Sequence, residues 1–232
     1  MPLAARMPHA FWRMIERYII GAAAEDPGDE TPAASRERLK ESFPRGATRR
    51  MTQLGLLIGS VLKEMSPGEA DSIVYATRFA ENQALEEYLA SFPTPSPTLF
   101  QTSIHPSAVQ QVLIARQQPV RELFPLTGNV QLGAHALQTA LLTPSPRVIL
   151  CGGEERGTWL REHGSASEDT FTFALALAAS PDGAIGRVAW TPGTAVPDGA
   201  GLTLRELFDH VRDRRNLGRA LAIGGALEVT WR

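Results

Sequence analysis

The segment Phe124-Pro-Leu-Thr-Gly-Asn-Val-Gln-Leu-Gly-Ala-His135 leads into the apolar run Ala136-Leu-Gln-Thr-Ala-Leu-Leu142. The order reads as a short extended stretch, a Gly-marked turn and a helix start, the arrangement that presents a catalytic Ser or Cys to an acyl group. Here the turn offers only Asn129, Val130 and Gln131, so it carries no nucleophile. The one cysteine, Cys151, lies inside the apolar run Val148-Ile-Leu-Cys151. Burial there would raise its pKa and withhold the thiolate, so it reads as a small buried hydrophobe.

Other groups carry a chemical and a plain reading side by side. His105 precedes Pro106 at a helix start, placed to cap backbone N–H groups or to face a pocket, and His135, on the helix after the turn, reads as a satisfied helix histidine or a second pocket residue. Glu154 and Glu155 follow Gly152-Gly153 and could act as paired carboxylates for acid–base work. Adjacent residues at a strand end point apart, which favours a loop role with Arg156. His163-Gly164-Ser165 sits in a polar stretch beside Arg161 and Glu162 and carries little catalytic meaning.

The elements that must position these groups alternate between helix and strand. Residues 9–20 read as a short apolar helix and 25–37, rich in Pro, Asp and Ala, as a mobile loop. In 48–65, Met51, Leu54, Ile58, Val61, Leu62 and Met65 recur at three- and four-residue steps, with Thr48 placed to cap the helix and Pro67-Gly68 to stop it. Gly55 and Gly59 on that helix read as a contact face against the sheet. A strand over 72–77 and a helix over 81–89 follow, and Pro93, Pro95 and Pro97 force an extended spacer. Phe171 to Ala178 alternates large and small residues, and 185–191 is expected to pair with it as a hairpin across Ser180-Pro-Asp-Gly183. A helix over 202–211 and a strand over 226–231 close the chain, giving an α/β fold with a mixed sheet flanked by helices and no visible repeat.

The chain has 232 residues, 43% of them hydrophobic, enough for one sizeable core. A net charge of −2 gives no basic field for nucleic acid or anionic lipid. Arg6, Arg13, Glu16 and Arg17 interrupt any signal-peptide or membrane-spanning run, so a cytoplasmic protein is expected. One cysteine and five histidines without ligand spacing exclude a disulfide framework and indicate no metal site, and no cofactor is expected.

In order and spacing, residues 49–179 resemble the N-terminal half of the β-ketoacyl synthases, of the thiolase-like superfamily, and look closest to the chain-length-factor type. Residues 49–65 resemble that family's first long helix and 72–77 its next strand. The Pro-rich passage to Ser103-Ile-His-Pro-Ser107 is similar to the loop and buried helix at its dimer interface, 124–142 to its nucleophile strand, turn and helix, and 148–155 to its next core strand. Pairing on Gly133 and His135 puts Val130 where active members carry the acyl-accepting Cys, and a one-residue shift puts Asn129 or Gln131 there. The two His and the Lys of active members belong to a second half that the resemblance implies is missing here.

The resemblance thus implies a thiolase-like half at 48–232 with a short C-terminal appendix, preceded by an N-terminal helix and mobile loop at 1–47. It implies a catalytically silent subunit forming a heterodimer with an active ketoacyl synthase, in fatty acid, polyketide or aryl polyene type chain assembly with acyl groups on an acyl carrier protein. Helix 105–116 and residues 120–135 would form the shared interface. Arg212, Arg214, Arg215 and Arg219 could meet the carrier's phosphate, but their interleaving with Asp209 and Asp213 reads better as a solvated helix face. Two rival readings are an acyl-transferring enzyme using Cys151, or Ser103 or Ser107 beside His105, and a stand-alone module that binds acyl carrier protein.

Overall fold

The computed structural model describes residues 13–193 and 201–232. In chain order these form β1 (Ile15–Glu25), α1 (Pro32–Leu39), α2 (Gln53–Met65), β2 (Ser72–Ala76), α3 (Asn82–Ala90), α4 (Pro97–Ser103), α5 (Ser107–Arg116), β3 (Glu122–Leu126) and α6 (Leu132–Leu142). There follow β4 (Arg147–Glu154), α7 (Trp159–Glu162), β5 (Phe171–Ala178), β6 (Gly186–Pro192), α8 (Leu204–Arg212), β7 (Leu217–Ala222) and β8 (Gly225–Trp231). The strands make one mixed sheet in the order β3-β2-β4-β5-β1-β6-β8-β7. Strand β2 runs parallel to β3 and β4, and the remaining pairs are antiparallel.

Side-chain alternation divides the core into two layers, one on each face of the sheet. Ile73, Tyr75, Ile149, Cys151, Ala174 and Ala176 face the layer of α2 and α5. Val74, Val148, Leu150, Phe173, Leu175 and Leu177 face the layer of α6 and α8. The small residues of β5 all lie on the α2 side, where that helix crosses close to the sheet. A Cβ at Gly21 on the neighbouring strand would already stand 3.4 Å from the Met65 sulfur.

The N-terminal segment departs from expectation. Of the helix expected over 9–20, residues 9–12 lie outside the described residues, and Ile15–Glu25 is a strand inside the sheet, paired antiparallel with both β5 and β6. A register shift between Ile19 and Gly21 explains the misreading: Ile15 and Ile19 face the α6 layer, as do Ala22 and Ala24 beyond the shift. A bulge inverts the parity of a strand, so the period-two signal fails. The same strand overturns the expected hairpin, because β1 lies between β5 and β6. The expected mobile loop contains α1, whose Thr31 hydroxyl accepts the Ala34 N–H. Polar bonds hold this helix: Gln53 donates to the Glu30 carbonyl and the Ser35 hydroxyl, each at 2.8 Å, and Arg38 bridges Glu25 and Glu30.

Helix α2 is capped by Thr52, and Thr48 belongs to a 3-10 turn over Ala47–Arg50. Gly59 accommodates Phe43 and the Val112 side chain of α5 and does not meet the sheet: a Cβ there would lie 2.3 Å from the Phe43 ring. The proline spacer holds α4, begun by Ser96 as cap and Pro97 in the first turn, a start signal in its own right. Strand β7 lies outside the elements expected from the sequence.

These packings set apart glycines that look alike in the sequence. A Cβ at Gly153 would lie 2.3 Å from the Phe171 carbonyl oxygen, whereas at Gly55 the nearest contact is 3.5 Å. Gly153→Ala should destabilise the protein by about 2 kcal/mol or more, and Gly55→Ala should be neutral or stabilise it by up to about 1 kcal/mol; urea unfolding of both variants tests this.

Candidate functional site at the strand-to-helix turn

Strand β3 is an edge strand, and α6 starts after a loop in which the Leu132 N–H donates to the Asn129 carbonyl at 3.0 Å and the His135 N–H to the Gln131 carbonyl at 3.0 Å. The first turn of α6 is locked against the segment before α8. A Cβ at Gly133 would lie 2.5 Å from the Thr203 carbonyl oxygen, and the Ala134 N–H donates to the Leu202 carbonyl. That segment is fixed by a capping box between Thr203 and Glu206. The strand, turn and helix expected over 124–142 are present, and the turn holds Asn129, Val130 and Gln131, with Val130 59% exposed.

A cavity of about 130 Å³ adjoins the tip, walled by Asn129, Val130, Phe79, Glu154, Phe171 and Arg205 among others. The Arg205 guanidinium lies over the Phe171 and Phe208 rings at 5.1 and 4.9 Å. Glu154 receives the Arg78 N–H at 2.5 Å, the Phe79 N–H at 3.3 Å and the Thr77 hydroxyl at 3.1 Å, so its carboxylate shapes the loop after β2. Glu155 turns the other way and accepts the N–H groups of Leu54 at 2.9 Å and Gln83 at 2.8 Å, in the first turns of α2 and α3. The two acids are thus helix and loop anchors; Arg156, expected as their partner, is exposed and makes no ion pair with them. Glu81 and Glu86, which the sequence reading passed over, work alike. Glu81 accepts the Ala108 N–H in the first turn of α5, and Glu86 accepts from Thr158 and Leu160 at the start of α7. Their partners lie 27 to 74 residues away, so no local spacing could reveal them.

The two histidines do not share a pocket. His105 stacks on Tyr75, 4.8 Å between ring centroids, in the α2 and α5 layer, whereas His135 belongs to α6 on the opposite face. Neither His105 nitrogen has a hydrogen-bond partner, and burial depresses its pKa to about 4. Ser103 donates to the Phe100 carbonyl and Ser107 accepts from Gln111, so neither hydroxyl is activated by His105. Cys151 is fully buried, and burial pushes its thiol well up. Ser165 bonds the His163 backbone, not its ring. Arg212 and Arg215 pair with Asp213, and Arg212 also with Asp26 and Asp209. Among the described residues no cluster of His, Cys, Asp and Glu could hold a metal ion, and no helix is long and apolar enough to cross a membrane.

No family model and no curated protein matches the sequence. Solved structures do. A chain of a ketosynthase in complex with its chain length factor, from Xenorhabdus doucetiae, matches with a TM-score of 0.61 and 16% identity over 93% of this chain and 99% of that one. The ketosynthase from module 6 of the bacillaene synthase of Bacillus subtilis matches with a TM-score of 0.49 and 9% identity, over 85% of this chain and 45% of its own. The fold is ketosynthase-like, an α/β fold of the thiolase type, as the sequence resemblance implied.

Burial raises Glu154 and Glu155 to about 7 and Glu81 to about 8. The folded state therefore holds protons that the unfolded chain releases, and stability falls as pH rises through 7 and 8. His105 acts in the opposite sense but only below its unfolded value near 6.5. Urea unfolding at pH 6.5 and pH 9 should show the lower stability at pH 9, and Glu155→Gln, which stays neutral, should flatten the decline. Glu155→Ala should cost about 1–3 kcal/mol for each donor left bare at both pH values.

Proposed function

We propose that this chain is a catalytically silent ketosynthase-like subunit that pairs with an active ketosynthase and helps to enclose the acyl chain growing on it. The observation that carries the reading is the turn at 129–131, which keeps the strand, turn and helix frame, holds no nucleophile and presents Val130 to solvent beside a small cavity. The fully buried Cys151 is badly placed to replace the missing thiol. The partner would contribute the Cys and the two His of catalysis. The likeness to a chain of a ketosynthase and chain length factor complex supports a pairing of this kind. The chemistry would be chain assembly of the fatty acid, polyketide or aryl polyene type, in the cytoplasm, with acyl groups delivered on an acyl carrier protein.

The surface for such a pairing runs from α5 to the turn. Strand β3 has a neighbour on one side only, and an open edge is a template for another chain. Ile114 on the outer face of α5 is 76% exposed, and Phe100, Ile104 and Val130 are also large apolar residues in solvent. An obligate pair would cover them within an interface on the order of 2,000 Å² or more.

Co-expression with candidate ketosynthases followed by size-exclusion chromatography with light scattering should give a one-to-one complex; separate elution from all of them would sink the proposal. Ile114→Glu, at a position whose side chain is largely exposed, should leave the unfolding temperature unchanged and weaken the complex by about tenfold or more.

A further inference from the structure

On the α2 side of the molecule, away from the turn, lies a cleft of about 860 Å³ between α1, α3, α4 and the start of α7, opening into a second lobe of about 600 Å³. The lobes meet at Thr31, Pro32, Gln83, Thr158 and Trp159, and neither shares a lining residue with the cavity at the turn. The larger lobe is within the size range of sites that bury an organic ligand. Its walls combine Pro32, Met51, Ala84, Ala90 and Leu99 with the Trp159 indole, which is 41% exposed.

One end of that lobe is cationic. Arg36 donates to the carbonyls of Thr48 and Met51 and so holds the segment that carries Arg49 and Arg50. Both of these are exposed, and among the described residues neither has an acidic partner, in contrast to Arg38, Arg147, Arg205 and Arg212, which are all ion-paired. Of the acids on the walls, Glu86 is committed to the start of α7, which leaves Glu87 against three arginines. The helix starts around the cleft are already capped by Thr31, Thr52, Ser96 and Glu155, so attraction for an anion falls to the arginine pair. Two guanidinium groups lining one cleft suit the oxygens of a carboxylate or phosphate, and the apolar wall and the indole suit a hydrocarbon or aromatic body.

We infer that this cleft binds an amphipathic organic anion, its carboxylate or phosphate head on Arg49 and Arg50 and its apolar body along Met51, Leu99 and Trp159. The site is distinct from the turn, and the inference does not rest on the pairing proposed above.

Isothermal titration of the full chain with sodium decanoate and with decyl phosphate tests it, with decan-1-ol and inorganic phosphate as controls for body and head alone. Both anions should saturate one site, at least about tenfold more tightly than either control, and whichever binds the tighter identifies the head group. The double variant Arg49→Ala/Arg50→Ala should weaken both anions about tenfold while leaving the unfolding temperature unchanged. Trp159→Ala should weaken decanoate and decan-1-ol alike. Absence of saturable binding, decan-1-ol binding as tightly as decanoate, or unchanged affinity in the arginine variant would overturn the inference, whatever the outcome of co-expression with a ketosynthase.

Discussion

The carboxylates of Glu154 and Glu155 at the end of β4 hold together the parts of the molecule that surround its candidate sites. Each is buried, which is costly for a charge unless hydrogen bonds compensate it. Here the compensation is backbone N–H groups. Glu154 gathers the loop after β2, and Glu155 joins the starts of α2 and α3, where the helix dipoles favour negative charge. The two glycines before them are part of the same device. A Cβ at Gly152 would lie 2.7 Å from the Ala76 carbonyl oxygen and one at Gly153 closer still to that of Phe171, so both neighbouring strands approach β4 only because these positions are bare. The acids that a sequence reader weighs for catalysis serve as the fastening between sheet and helices.

From that fastening the two faces diverge. Glu154 forms a wall of the cavity at the turn, while Glu155 fixes the starts of α2 and α3, where Thr52, Gln83 and Ala84 line the cleft on the other side. The sheet is thick with buried side chains between them, Val74 and Phe173 on one face against Tyr75 and Cys151 on the other. The turn and the cleft are therefore separate in space but share one anchor, and a change at β4 would be felt at both.

What the sequence made legible was local. Strands β2 and β4 and helices α2 and α6 carry strong apolar patterns, and the order of elements over 49–179 as a whole indicated a ketosynthase-like fold. Strand β1 was hidden because its bulge shifts the core-facing residues from Ile15 and Ile19 to Ala22 and Ala24. Its insertion between β5 and β6 is a long-range pairing that no hairpin signal could foretell. Helix α1 was hidden for the opposite reason: almost all of its support is polar and comes from Gln53, Glu25 and Glu30, so it lacks an apolar stripe. The strand and helix on either side of 129–131 were legible as elements; that His105 and His135 lie on opposite sides of the sheet was not.

The turn at 129–131 is held by its backbone and from outside its own tip. Its geometry rests on backbone bonds from the Asn129 and Gln131 carbonyls, on Gly133, which lets α6 press against the Leu202 and Thr203 carbonyls, and on the capping box that holds those residues in place. The fold around the turn therefore does not require a thiol at its tip. The cavity beside the tip, at about 130 Å³, is well below the roughly 300–1,000 Å³ of sites that enclose an organic ligand. An acyl chain at this turn would need a further wall, and the exposed Val130 stands at the side where a second protein would have to provide it. On the proposed reading, the turn and its small cavity would supply one half of a tunnel that the partner completes.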